Sequence, residues 1–238
     1  MEDIFSISRF WKQLKSDLLK SWRNMNFSFC LMSCSGAITY LFILGLRWMA
    51  DWNELSLIGN TRGFIFGVMM TTLCIVTPTR CFGSVTQLRE GRFYLQLPSS
   101  VLEKSLSMIL ICTIIVPLSA TGIYLAWDAL ICRFDPSCGS PLPELMEEQL
   151  WGIASVPPYS LAFLLGALIF KKNKMAKTIG CILLFYVFCL FFAGSLLESI
   201  NFNQLGTTSF TADLSWISGA ITIVLMGLIF WRVRTIQH

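Results

Sequence analysis

Few side chains in this sequence have the types and spacing that chemistry needs, and each can be tested by its surroundings. Glu147 and Glu148, with Glu144 one turn before them, form a carboxylate cluster beside an apolar run. A glutamate pair can activate water inside a membrane only with metal or base partners at the same depth, and the single histidine is His238. The cluster therefore reads as a solvated outer loop. Cys132 and Cys138 share the polar stretch Cys132-Arg133-Phe134-Asp135-Pro136-Ser137-Cys138. Five intervening residues with a central Asp-Pro can close a disulfide; two unpaired thiols at a helix end are the other reading. The other seven cysteines lie within or at the ends of apolar runs, where the residue packs as a small hydrophobe. Gly194-Ser195 has no histidine to activate the hydroxyl, and neither a Gly-x-Ser-x-Gly elbow nor a Gly-x4-Gly-Lys-Ser/Thr phosphate loop occurs. Arg47, Asp128 and Glu198 each lie within a turn or two of the outer end of an apolar run, so all three are expected to snorkel to the interface. No catalytic residue, cofactor, metal site or nucleic-acid partner is expected.

The elements that would carry these residues are membrane helices. The chain has 238 residues, 55% of them hydrophobic and 13% charged. Soluble domains average about 45–50% apolar and about 25% charged residues. Several runs approach the ~20 apolar residues that cross a bilayer, and no polar stretch is long enough to build a globular core. The expected fold is all-α: a polytopic transmembrane bundle of six spans, at about 27–49, 63–82, 106–131, 150–170, 178–197 and 214–231, forming one domain over 26–238. Before it, residues 1–25 form a separate amphipathic helix. Ile7, Phe10, Trp11, Leu14, Leu18 and Trp22 recur at three- and four-residue steps, with Arg9, Lys12, Lys15, Lys20 and Arg23 largely between them. That pattern suits a helix lying in the headgroup layer, in contact with membrane lipids; a solvated helix leading into the first span is the alternative. Small residues within the spans, among them Gly36, Thr39 and the pair Gly63 and Gly67, permit close helix packing.

Charge fixes the orientation. With the N-terminus inside, 15 of the 18 basic residues fall in inside segments, leaving only Arg47, Arg62 and Arg133 outside. Positive loops stay cytoplasmic, so both termini are expected there and the Cys132–Cys138 loop on the oxidising side, where a disulfide persists.

One inside loop differs from a plain connection. Residues 88–105 carry Arg89, Glu90, Arg92, Glu103 and Lys104, and also Phe93, Tyr94, Leu95 and Leu97. A loop that only crosses water does not need those apolar side chains, whereas a short helix docking on a membrane surface or a partner's groove does. Ser99 and Ser100, followed by Glu103, add a helix-start signal.

An amphipathic N-terminal helix, two spans, a basic loop and four more spans resemble the membrane subunit of an ABC exporter of the type-2 permease family. Locally, Leu97-Pro98-Ser99-Ser100-Val101-Leu102-Glu103-Lys104 looks like the Leu-Pro-Ala/Val-Ser-x-x-Glu-Lys signature of permease-like membrane proteins from Bacteroidetes-type bacteria, with Ser99 at the small-residue position. The resemblance implies a bacterial inner-membrane protein without enzymatic activity of its own. It implies a separate cytoplasmic ABC ATPase docking on Arg89, Glu90, Arg92, Phe93, Tyr94, Leu97, Glu103 and Lys104, and a second permease subunit, identical or similar, completing a dimer. A membrane scaffold or sensor-associated protein that does not transport is the rival expectation.

Overall fold

The computed structural model describes residues 5–50, 55–86, 99–134, 156–197 and 207–237. Among the described residues all regular structure is helical. Helix α1 spans Ile7–Ala50, α2 Leu55–Cys81, α3 Val101–Leu110, α4 Val116–Phe134, α5 Val156–Ile169, α6 Lys174–Leu197 and α7 Thr207–Gln237. A 3-10 turn at Gly83–Thr86 follows α2, and a π-helical segment at Ile111–Ile115 joins α3 to α4 without a break.

Helix α1 departs from expectation. The amphipathic segment and the first span form one helix of 44 residues, about 66 Å long at a rise of ~1.5 Å per residue. The hydrocarbon core is only about 30 Å thick. Asn24-Met25-Asn26, which link the two expected segments, do not interrupt the helix: these residues are no worse than middling helix formers, and the helix meets no proline or glycine before Gly36.

The π segment leaves a carbonyl that its own helix cannot satisfy. In π register the Cys112 carbonyl would face the amide of residue 117, but Pro117 has no N–H to give. The Ser160 hydroxyl of α5 donates to that carbonyl instead, at 2.9 Å. A chain irregularity in α3–α4 is thus closed by its neighbour, and α5 is fixed in depth against it.

Helix α5 is the hub: it packs on α2, α6 and α7. Leu161, Leu164 and Leu168 of α5 are fully buried and share a core with Met108, Ile111 and Met25. Its first turn carries Pro157 and Pro158, where a missing N–H costs no helical bond. Helix α1 lies beside α2, α3 and α4. Close approaches occur where glycine leaves room. A methyl at Gly36 would collide with the Trp127 ring, and one at Gly166 with Thr178. Gly67 is different: a methyl there would meet nothing within 4 Å, so its half of the Gly63–Gly67 pattern is not used in packing within the chain.

Among the described residues three stretches are long and apolar enough to cross a bilayer, Arg62–Cys81, Val101–Phe134 and Ser218–Ile236, and Gly36–Gly45 and Pro157–Ile169 are shorter apolar helices. Large apolar side chains point outward from them and from α6, including Phe64, Leu118, Leu184, Phe185 and Ile223. That is the pattern of a helical membrane protein, whose outer surface faces lipid chains rather than water.

Candidate functional site

The polar residues that the sequence scatters gather into two buried centres, one at each end of the bundle. The first joins the start of α1 to the start of α3. Ser100 is the N-cap of α3: its hydroxyl accepts the Glu103 amide at 3.2 Å, while Glu103 Oε2 accepts the Ser100 amide at 3.0 Å. This is the capping box that the Ser100–Glu103 spacing predicts. The other carboxylate oxygen does something the spacing does not reveal. Glu103 Oε1 accepts the Ser6 amide at 2.9 Å, and Ser6 precedes α1 with its own carbonyl taking the first α1 hydrogen bond from Phe10. One carboxylate therefore caps two helices and sits at the positive ends of both dipoles. Arg9 Nε adds a longer contact at 3.7 Å.

About three turns further along α1, and one turn along α3, Asp17 continues the seam. Its Oδ2 accepts from Ser107 Oγ at 2.7 Å and from Gln13 Nε2 at 3.0 Å. Gln13 Oε1 in turn accepts from Ser99 Oγ at 3.4 Å. These contacts lie in the buried face of α1, which also carries Phe10 and Leu14. Buried polar groups are expensive unless bonded, so this network holds α1 and α3 in a single register.

Glu103 and Lys104 are each 0% exposed. The expectation that they stand on a surface for an ATPase is corrected here: the capping geometry turns Glu103 inward onto α1, and Lys104 is enclosed beside it. The other docking candidates, Arg89, Glu90, Arg92, Phe93, Tyr94 and Leu97, lie outside the described residues.

On the far side of the 87–98 segment, the 3-10 turn is anchored too. Lys174, at the start of α6, donates to the Gly83 carbonyl and to Thr86 Oγ1. Partial burial lowers the pKa of its ammonium from the ordinary lysine value. Lys20 of α1 reaches Ser84 Oγ at 3.5 Å. Both stems of the loop are therefore tied to the bundle, one through α6 and α1, the other through α1 alone. Asn173 makes the tight α5–α6 turn possible with a φ of 51°, a left-handed conformation that asparagine tolerates better than most residues.

The second centre is an ion pair at the opposite end. Arg62 Nε donates to Asp128 Oδ1 at 2.8 Å and Arg62 Nη2 to Asp128 Oδ2 at 2.6 Å. This is the bidentate geometry that makes guanidinium–carboxylate pairs strong. Tyr124 Oη, one turn before Asp128, donates to the Arg62 carbonyl at 3.0 Å. Both charges are buried, Arg62 at 0% and Asp128 at 4% exposure. Two expectations are corrected by this pair. Arg62 is not in an outer loop, because α2 begins at Leu55 and carries it inside the helix. Asp128 does not snorkel, because its partner is a buried guanidinium rather than water. Sequence patterning missed the pair since the two residues are 66 positions apart; the available signal was two opposite charges at the same expected depth.

Arg62 Nη2 also donates to Cys132 Sγ at 3.3 Å. Cys132 lies in the last turn of α4, and Cys138, the partner expected for it, lies outside the described residues. The Cys132 sulfur is turned toward the guanidinium of Arg62. Glu144, Glu147 and Glu148 also lie outside the described residues.

No protein-family model, curated protein or solved structure matches the chain.

Proposed function

We propose that this chain is a permease-like transmembrane subunit of an ABC exporter, driven by a separate cytoplasmic ATPase that docks on the loop between the second and third spans. On this reading six spans cross a bacterial inner membrane with both termini in the cytoplasm. Two such subunits, identical or similar, complete the transport unit. Docking falls to Arg89, Glu90, Arg92, Phe93, Tyr94 and Leu97.

The observation that supports the reading is the anchoring of both stems of that loop. Residues 87–98 emerge from a turn held by Lys174 and Lys20, and re-enter at Ser99 and Ser100, whose groups are bonded to Gln13 and Glu103. A partner pushing on such a loop moves the first and third helices with it. A loop with slack stems would absorb the motion instead.

The second reading is an integral membrane scaffold that binds a partner without transport. Full burial of Glu103 and Lys104 favours it, because it removes two of the eight candidate docking groups from the surface. The two readings separate on affinity purification of the tagged chain in mild detergent, followed by mass spectrometry. The permease reading expects an ATPase with a phosphate-binding loop, lost with Arg92→Glu and retained with Arg92→Lys. Recovery of a well-folded chain with no ATPase supports the scaffold.

A further inference from the structure

The charges at the α1 end of the bundle are sorted in a way that composition does not show. Asp17 and Glu103 are the carboxylates with described side chains at that end, and both are buried and hydrogen-bonded within the protein. The basic side chains are left outward: Lys12, Lys15 and Arg23 on α1, Arg80 at the end of α2, and Lys171 and Lys172 in the α5–α6 turn are all exposed. Internal bonding of the acids thus turns a mixed-charge sequence into a uniformly positive described surface.

Helix α1 adds a second feature. At 3.6 residues per turn, its first half divides into three sectors. Phe10, Gln13, Leu14, Asp17 and Ser21 face the bundle. Lys12, Lys15 and Arg23 occupy a basic sector away from it. Between the two runs an apolar strip that the bundle does not cover, with Ile7 67% exposed, Trp11 63% and Trp22 61%. Trp231, in the segment of α7 that also carries Arg232 and Arg234, is 62% exposed at the same end. An acidic soluble partner would be met by charge alone. Exposed tryptophans beside lysines, on a helix that runs on without a break into the apolar stretch Gly36–Gly45, match the headgroup layer of a membrane.

We infer that this end of the protein binds the anionic headgroups of one leaflet, with the exposed α1 lysines and arginines attracting lipid phosphates and Trp22, the tryptophan nearer the apolar stretch of the helix, seated beside them. Basic residues next to an anionic surface attract it within a Debye length, and salt screens the attraction. The selectivity is for negative headgroups over zwitterionic ones, and it does not depend on the transport reading.

The test is lipid retention by the full chain. The protein is reconstituted into vesicles of phosphatidylcholine with about one phosphatidylglycerol in five, re-extracted in mild detergent, and its retained lipid quantified by mass spectrometry. Phosphatidylglycerol is expected to be enriched at least three-fold over its share of the vesicle, and the enrichment to fall by half or more when extraction is done in 0.5 M NaCl. Lys12→Gln/Lys15→Gln/Arg23→Gln should bring retained lipid close to bulk composition, while Lys12→Arg/Lys15→Arg/Arg23→Lys keeps the enrichment. These three positions spare Arg9 and Lys20, which contact Glu103 and Ser84. Retained lipid at bulk composition in the unmodified chain would overturn the inference, as would enrichment that salt leaves unchanged. Capture of an acidic soluble protein with lipid at bulk composition would overturn it in favour of a protein partner.

Discussion

Removing the Glu103 carboxylate should loosen two helices at once, and the size of the loss follows from its partners. Glu103→Ala deprives the Ser100 amide of its acceptor, a capping interaction of about 1 kcal/mol. It also leaves the Ser6 amide without its acceptor at the start of α1, which costs roughly 1–3 kcal/mol if the site stays dry. The Arg9 contact adds little, because the Arg9 side chain is 47% exposed and its pairing distance is 3.7 Å. The sum is about 2–4 kcal/mol for Glu103→Ala. Glu103→Gln, which keeps an acceptor oxygen, should lose roughly half as much, and Arg9→Ala less than about 1 kcal/mol. Thermal unfolding in detergent, followed by circular dichroism, reads these as shifts of about 2–4 °C per kcal/mol for a chain of this size. Glu103→Ala should therefore melt about 4–16 °C lower, with Arg9→Ala near the unmodified protein. If Glu103→Ala and Arg9→Ala melt together, the two-helix cap is not the interaction that matters. An unchanged melt in Glu103→Ala refutes the reasoning altogether.

Three further outcomes follow from the geometry. Asp128→Ala leaves the Arg62 guanidinium buried without its carboxylate and should cost about 3–5 kcal/mol, whereas the double change Arg62→Met/Asp128→Leu should cost much less; a double-mutant cycle on thermal unfolding checks it, and additive losses would speak against the pair. Gly166→Ala drives a methyl into the Thr178 side chain and should destabilise by roughly 1–3 kcal/mol, while Gly67→Ala should be neutral or gain up to about 1 kcal/mol from helix propensity; equal melting temperatures for the two variants would show that α5 and α6 do not pack this closely. Cys112, fully buried, should be alkylated by a small maleimide only after denaturation; peptide mass spectrometry reads it, and labelling of Cys112 in the folded protein would contradict its burial.

Local order was legible in the sequence and long-range pairing was not. Ser100 and Glu103 announce a capping box because its parts lie three residues apart. That the same carboxylate also caps α1 depends on a contact across 97 positions, which periodicity cannot see. Arg62 was misplaced because the apolar run begins at Gly63, whereas α2 begins at Leu55; a buried charge with a bonded partner does not end a helix. The continuity of α1 was written in the absence of any breaker between Trp22 and Ser35, but the change from amphipathic to apolar patterning pointed to two elements. The expected third span gave no sign of its π segment, which shows only in the structure, closed by Ser160. The charge asymmetry was plain from counting, yet its sharpest feature, the burial of Asp17 and Glu103 beneath an exposed basic surface, needed the fold.

The permease reading is tested most directly by a site-specific photo-crosslinker placed in the loop itself. A benzophenone amino acid at position 93, with a second chain carrying it at position 118 as a lipid-facing control, is irradiated in intact cells of the native host. The reading predicts that position 93 captures an ATPase bearing a phosphate-binding loop, that the adduct is lost when Arg92 is changed to Glu, and that position 118 captures none. An irradiated, well-expressed chain that yields no ATPase adduct from position 93 would contradict the reading and leave the scaffold in its place.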